Sequence, residues 1–307
     1  MRHLTSIREL DRDAALAILD LADELAQVNA REVKKLPTLR GKTVVNLFYE
    51  NSTRTRVSFE IAATRLSADV INISSEVSSV AKGESLKDTA QTLEALGAAA
   101  IVVRHPNSGS AKQLAEMGWV QSSIINAGDG SHEHPTQALL DAMTIRQLFS
   151  TTDLAGLSVV IVGDLSHSRV ARSNILLLNK LGAEVLIAGP SELVPEEMTA
   201  MGAKRFEDLD EALASRPDVV MMLRVQKERM ASEFASEREY AKNWQLDSRR
   251  LNALPESSRI MHPGPMNRGL EISAEAADDP RSAILLQVTN GVSVRMAVLH
   301  TLLAADS

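Results

Sequence analysis

The chain contains no cysteine. That excludes disulfides, thiolate metal sites and a cysteine nucleophile, and it suits a reducing cytoplasm. Aromatic residues make up only 3% of the 307 positions, so the core must be built mostly from Leu, Ile, Val, Ala and Met. No apolar run approaches the roughly 20 residues needed to span a bilayer, and the opening stretch MRHLTSIRELDRD is too polar for a signal peptide. Basic charge is also in deficit, with a formal net charge of −7. A general nucleic-acid or membrane-surface binder would want a basic face, so neither partner is expected. The remainder is an ordinary globular composition, 44% hydrophobic and 24% charged. The chain is long for one core, and two domains are the default expectation.

Apolar spacing predicts a helix over Asp11–Asn29, capped by Asp11 or Asp13. Short apolar runs then alternate with helical stretches. Strands are expected at Thr43–Tyr49, Ala68–Ser74, Ala98–Arg104 and Ser122–Ala127, with helices over 53–66, 85–96 and 110–117 between them. Pro135 to Phe149 reads as a long helix with proline in its first turn. The alternation restarts with strands at Leu157–Val162, Glu184–Ala188, Asp218–Leu223 and Arg259–His262. Ser168–Leu181 and Lys227–Asn243 are the clearest helices of this half, and Ser293–Ala304 is a final amphipathic one. The expected fold is α/β: two doubly wound parallel-sheet domains joined by the 135–149 helix. The first domain spans 1–145 with 292–307 packing back onto it, and the second spans 146–291.

Ligands of open parallel sheets sit beyond the carboxyl ends of the strands, so the strand ends carry the functional reading. Ser52-Thr53-Arg54-Thr55-Arg56 packs three hydroxyls and two guanidinium groups into five residues at a strand-to-helix turn. Free backbone N–H groups and the helix dipole add to them, making a cradle for a phosphate or carboxylate. Arg104 ends another apolar strand and favours a second contact to the same anion. In Asn126–Gln137 two glycines permit a tight turn, and His134 lies one helical turn from Gln137, so both can face one ligand. The His132-Glu133-His134 trio suits a metal poorly, being two apart without an obvious third ligand. A histidine donating to a carbonyl oxygen, with a glutamine reading an amide, fits better.

Gly163–Arg169 lacks G-x-G-x-x-G, so a dinucleotide cofactor is unsupported. Arg169 is a cation in a first helical turn, where the dipole prefers acids, and an anionic ligand explains it. Arg224 follows an apolar strand directly, and Gln226 can point to the same side. His262-Pro263-Gly264-Pro265 fixes a rigid loop whose carbonyls can accept from an amine; His262 reads equally as a base or as a structural residue. Lys82 sits alone in a small-residue loop, where its spacing says little.

Taken in order, S-T-R-T-R, the A-K-G-E loop, Arg104, H-P-T-Q, G-D-L-x-x-x-R, R-V-Q-K-E-R and H-P-G-P-x-N-R-G resemble the aspartate/ornithine carbamoyltransferase family over essentially the whole chain. The R-V-Q and H-P-G-P segments resemble its aspartate branch; the ornithine branch carries a late-loop cysteine and an S-M-G segment, both missing here. The resemblance implies transfer of the carbamoyl group of carbamoyl phosphate to the α-amine of L-aspartate, an early step of pyrimidine biosynthesis, without metal or cofactor. It implies that Ser52, Thr53, Arg54, Thr55 and Arg104 bind the phosphate, with Thr55, Arg104 and His134 near the carbonyl oxygen and Gln137 on the carbamoyl amide. Arg169 and Arg224, assisted by Gln226, would hold the two aspartate carboxylates, and backbone groups of Gly264 and Pro265 would lie near the reacting centre. Lys82, with Ser78 or Ser79, would come from a neighbouring subunit of a homotrimer. Whether a regulatory chain or a dihydroorotase joins the trimer stays open. The alternatives are a carbamoyltransferase for another amino acid such as ornithine, and a non-catalytic assembly subunit of the same fold.

Overall fold

The computed structural model describes residues 1–74, 83–225 and 236–304. These fall into two units, Met1–Met143 with Val288–Ser307, and Thr144–Gln287.

The first unit opens with helix α1 (Arg12–Ala26), whose cap is Asp11: its carboxylate accepts the Ala14 N–H at 2.7 Å. Ala15, Ile18, Leu19, Ala22 and Leu25 form its buried stripe, as the helical spacing requires. Strands β1 (Thr43–Phe48), β2 (Asp69–Ser74), β3 (Ala98–His105) and β4 (Ser123–Asp129) form an all-parallel sheet in the order β2-β1-β3-β4. The helices α2 (Thr53–Arg65), α3 (Leu86–Ala95) and α4 (Ser110–Glu116) connect them, and α5 (Pro135–Phe149) follows β4. β1 and β3 are continuous apolar runs because both faces are covered: Val45, Leu47, Ile101 and Val103 pack with Leu93, Leu114 and Ile124 in one buried cluster. Each such side chain contributes about 1.5–3 kcal/mol by burial.

The second unit repeats the plan with β5 (Ser158–Val162), α6 (Arg169–Lys180), β6 (Glu184–Ala188), α7 (Glu197–Ala200), β7 (Lys204–Phe206), α8 (Leu209–Ala214), β8 (Val219–Met222) and β9 (Arg259–Met261). Its five parallel strands run in the order β7-β6-β5-β8-β9. Val160, Val162, Val220 and Met222 pack on Tyr240, Trp244 and Ile260 within its main core.

Three elements differ from the sequence reading. β7 was not expected: three residues, two of them cationic, are too short and too polar to announce a strand, yet an edge position tolerates them. The expected helix over Lys227–Asn243 lies partly outside the described residues, and its described part is Glu237–Trp244. The C-terminal helix runs from Ile284 to Leu303, well ahead of the expected start at Ser293. Asn290-Gly291 resembles a break, but Gly291 is a packing glycine. A Cβ there would stand 2.5 Å from Nη1 of Arg295.

Buried carboxylates fasten the turn ahead of α5. Glu133 accepts from the Ser6 hydroxyl at 2.5 Å and from the Ile7 N–H at 2.6 Å, pinning the N-terminal segment. Asp129 accepts from the Gly109 N–H at 2.6 Å and from the Asn126 amide at 2.8 Å. His132 Nδ1 lies 3.1 Å from the same carboxylate. The hydrogen bond to Asp129, helped by the charges of Asp129 and Glu133, raises the His132 pKa above the usual 6.5 against the opposing effects of burial and Lys112. A raised histidine stabilises the fold fully below pH 6.5 and stops doing so once pH passes its folded pKa. His132→Gln should therefore be less stable than wild type at acidic pH and converge with it as the pH rises. Denaturant melts across the histidine range check this, and a deficit that widens with pH would reject the ion pair.

Candidate active site

In the first unit the strand order reverses between β1 and β3; in the second it reverses between β5 and β8. A doubly wound sheet opens a crevice at such a point, beyond the carboxyl ends of the two central strands. Ser52–Arg56 follows β1 and Arg104 is the penultimate residue of β3, so the first anion cradle stands at one reversal. Gly163–Arg169 follows β5 and Arg224 follows β8, which places the second set at the other.

The helix starts carry the same signal. Ser52 holds the N-cap position of α2, but its side chain makes no capping bond, and no acid occupies the first turn. Thr55 is buried there, and Arg54 is exposed. Helices α2, α4, α5 and α6, which follow β1, β3, β4 and β5, all lack an acid in the first turn. The elements after β2, β6 and β7 carry the acids the dipole prefers: Asp88, then Glu192 and Glu197, then Asp210 and Glu211. Three of these starts, after β1, β3 and β5, stand at the reversals, where an anion would complete them.

Arg104 is held across the end of the sheet. Its Nη1 donates to the Ala127 carbonyl at 3.1 Å and its Nε faces the Glu50 carboxylate at 3.4 Å. The Tyr49 N–H donates to the Arg104 carbonyl at 2.8 Å, locking the β1 and β3 ends in register. Tyr49 also packs on His105, with ring centroids 4.6 Å apart. Burial lowers the His105 pKa despite the opposing charges of Glu50 and Asp129, and raises that of Tyr49.

His134 and Gln137 are both buried at the start of α5. The Gln137 amide donates to the buried Asp141 carboxylate at 3.0 Å. That bond fixes which end of the amide is nitrogen and leaves the carbonyl oxygen to accept a ligand N–H. Asp141 was missed by the sequence reading, although its i,i+4 spacing from Gln137 on a helix is a legible signal. Behind the same region lies Arg295 of the C-terminal helix, for which the sequence offered none. Its Nη1 donates to the Ser58 hydroxyl at 2.9 Å and the Gly291 carbonyl at 3.1 Å, and its guanidinium stacks 5.0 Å from the Phe59 ring centre. Burial pushes its pKa down to about 10, opposed by Asp141 and assisted by Arg104, so it stays charged at neutral pH.

In the second unit Gly163 takes a φ of +129°, and a Cβ there would meet the Tyr240 hydroxyl at 3.1 Å. Only glycine passes this turn cheaply. Asp164 accepts the His167 N–H at 3.1 Å, and the Ser168 hydroxyl caps α6 by accepting the Ala171 N–H at 3.1 Å. Arg169 is thereby set in the first turn. The loop after β9 places Gly264 and Pro265 at the end of its strand. His262 is structural: Nδ1 accepts the Gly264 N–H at 2.7 Å, and Nε2 lies 3.1 Å from the Glu271 carboxylate. Both ring nitrogens are used, which removes the general-base alternative. Lys82, Ser78, Ser79 and Gln226 lie outside the described residues.

The metal alternative finds no support in the geometry, since Glu133 faces the N-terminal segment and His132 faces Asp129. Among the described residues no helix is long and apolar enough to cross a membrane.

Residues 2–147 match the family model for the carbamoyl-P binding domain of aspartate/ornithine carbamoyltransferase, and residues 155–302 match that for its Asp/Orn binding domain. The aspartate carbamoyltransferase catalytic subunit of Salinispora tropica is 62% identical over 311 residues, covering 100% of this chain and 99% of that one. That of Kineococcus radiotolerans is 61% identical over 313 residues, covering 100% and 98%. Among solved structures, aspartate transcarbamoylase from Trypanosoma cruzi in complex with carbamoyl phosphate superposes with a TM-score of 0.88 at 32% identity, covering 98% of this chain and 96% of that one. Its complex with N-(phosphonacetyl)-L-aspartic acid gives 0.87 at the same identity and coverage. On both the domain matches and the full-length relatives, the chain belongs to the aspartate/ornithine carbamoyltransferase family.

Proposed function

We propose that the chain transfers the carbamoyl group of carbamoyl phosphate to the α-amine of L-aspartate, giving N-carbamoyl-L-aspartate and phosphate. The observation that carries this reading is the placement of arginines and acid-free helix starts at both strand-order reversals. One reversal would suffice for a single anion; two suit one substrate bearing phosphate and another bearing two carboxylates. Ornithine, with an amine in place of the second carboxylate, would need an acid where this chain has Arg169 and Arg224. The relatives at about 60% identity are catalytic subunits of aspartate carbamoyltransferase, which favours the same substrate and an early place in pyrimidine synthesis.

The roles in this reading are those that the family resemblance implies. Ser52, Thr53, Arg54, Thr55 and Arg104 hold the phosphate of carbamoyl phosphate. Thr55, Arg104 and His134 donate to the carbonyl oxygen as it gains charge, and the Gln137 carbonyl accepts from the carbamoyl amide. Arg169, Arg224 and Gln226 clamp the aspartate carboxylates, and the Gly264–Pro265 backbone stands near the amine. The neutral amine attacks the carbonyl carbon, a tetrahedral intermediate forms, and the C–O bond to phosphate breaks. The departing phosphate takes the amine proton, so no protein nucleophile or separate base is required. Catalysis comes from holding two mutually repelling anions in reach and from donors aimed at the oxyanion.

The active unit in this reading is a homotrimer, with Lys82 lent by a neighbour. Parallel-sheet strands are ordinarily covered on both faces, yet β2 exposes residues on both, including Ile71. Val57 and Ile61 are exposed at i,i+4 spacing on α2, and β2 leads directly into the segment that carries Lys82. Exposed apolar residues on β2 and α2 suit contact with a second copy of the chain.

Purified protein given carbamoyl phosphate with either amino acid should form carbamoyl-aspartate and no citrulline; the reverse result would sink the assignment. Arg54→Ala should fold normally and lose roughly 10²–10³ in kcat, as expected when a cation on the departing phosphate is removed. Arg54→Ala and Lys82→Ala chains should each lose most of their activity alone and regain part of it when dissociated, mixed and reassembled. Hybrids as inactive as their parents would show that Lys82 serves its own chain.

A further inference from the structure

Glu271 is a fully buried carboxylate outside the residues assigned to the reaction. It accepts from the Asn267 N–H at 2.5 Å and from the Asn267 amide at 3.2 Å, and His262 Nε2 lies 3.1 Å away. Both partners reach onward. His262 Nδ1 accepts the Gly264 N–H at 2.7 Å, while the His262 N–H donates to the Gln287 amide oxygen at 2.9 Å. Because Nδ1 accepts, Nε2 carries the proton and donates to Glu271. The second N–H of the Asn267 amide donates to the Val225 carbonyl at 2.9 Å, one residue beyond Arg224. Tyr240, also fully buried, feels the Glu271 and Asp164 charges, and its hydroxyl stands beside Gly163 at the end of β5. One carboxylate thus ties the loop after β9 to the chain leaving β8.

We propose that Glu271 is a positioning residue for the second substrate, holding the Gly264–Pro265 backbone and the Arg224–Val225 segment in fixed relation through His262 and Asn267. The inference rests on Arg224 being a carboxylate clamp. Arg224 is exposed, whereas Val225 next to it is buried, so an anchor on the Val225 carbonyl sets where the guanidinium starts. A carboxylate is required because it must accept three N–H groups. The amide of a glutamine would present donors to donors at one of them, and the tie to Val225 would be lost.

The test is a double-mutant cycle on the full-length protein with Glu271→Gln, Asn267→Ala and the pair. Each single variant should raise the KM for aspartate about tenfold, the size expected from losing one charge-assisted hydrogen bond. Carbamoyl phosphate binding, measured by calorimetry without aspartate, should stay within about twofold of wild type. The double variant should be no worse than the poorer single, since both act through one chain of bonds. Singles that leave the aspartate KM unchanged, effects that multiply in the double, or equal losses for both substrates would each overturn the proposal. If Glu271→Gln fails to fold, Asn267→Ala, at a half-buried loop position, decides alone. Wild type assayed alongside separates the outcomes: failure to turn over aspartate would count against the substrate assignment rather than against Glu271.

Discussion

In a sheet whose strands all run one way, each connection must return across a face before the next strand begins. Where the strand order reverses, the two connections leave for opposite faces and the ends of two neighbouring strands are left uncovered. Both sheets of this chain contain such a reversal, between β1 and β3 and between β5 and β8. Everything assigned to substrate follows one of those four strands or the strands beside them. Hydrogen bonds such as Tyr49 N–H to the Arg104 carbonyl and Leu223 N–H to the Val162 carbonyl carry the register past the last paired residues. The backbone positions of the first residues past these strands are thereby fixed.

Electrostatics sharpens what topology allows. Acids in first turns mark the elements after β2, β6 and β7, and none occurs in the helices after β1, β3, β4 and β5. Omitting a first-turn acid forgoes roughly 0.3–1 kcal/mol per helix. That cost is accepted at the positions where an anionic ligand would supply the missing charge. A net charge of −7 is no obstacle, because the field inside a cleft is set by the nearest guanidinium groups and helix ends.

The architecture was legible in the sequence because period and composition carry it: continuous apolar runs such as AAAIVVR and SVVIV can only be doubly covered strands. Arg104, Arg169 and Arg224 stand out in the sequence because a cation placed directly after an apolar strand, or in a first helical turn, violates local preference. Such violations mark sites. The braces were not. Glu133 reaches Ser6, and Arg295 reaches Ser58, across separations that no local pattern encodes. Glu271 reads as an ordinary acid in E-I-S, and only the fold turns it inward beneath the loop. β7 and the first turns of the C-terminal helix were missed for a related reason, since Lys204-Arg205-Phe206 and Asn290-Gly291 contradict propensity and are held by tertiary packing.

A site for two anions also constrains where a protein can put its acids. A carboxylate beside a substrate-binding arginine competes with the substrate, so acids close to the reversals should have other partners. Asp129 accepts from backbone N–H groups and the Asn126 amide, Glu133 from Ser6 and the Ile7 N–H, Asp141 from Gln137, and Glu271 from Asn267 and His262. Apart from His132 against Asp129, these are neutral donors or, for His262, one whose second nitrogen is itself an acceptor. Arginines paired fully with acids occur instead at structural positions, as in Arg250 with Asp210, Arg281 with Asp279 and Arg268 with Asp278. Glu50 beside Arg104 differs from these: it stands 3.4 Å away with about a third of its side chain exposed. The division of labour is then physical. Buried acids hold backbone and amides in place, and in the proposed reaction the arginines at the strand ends meet the substrates.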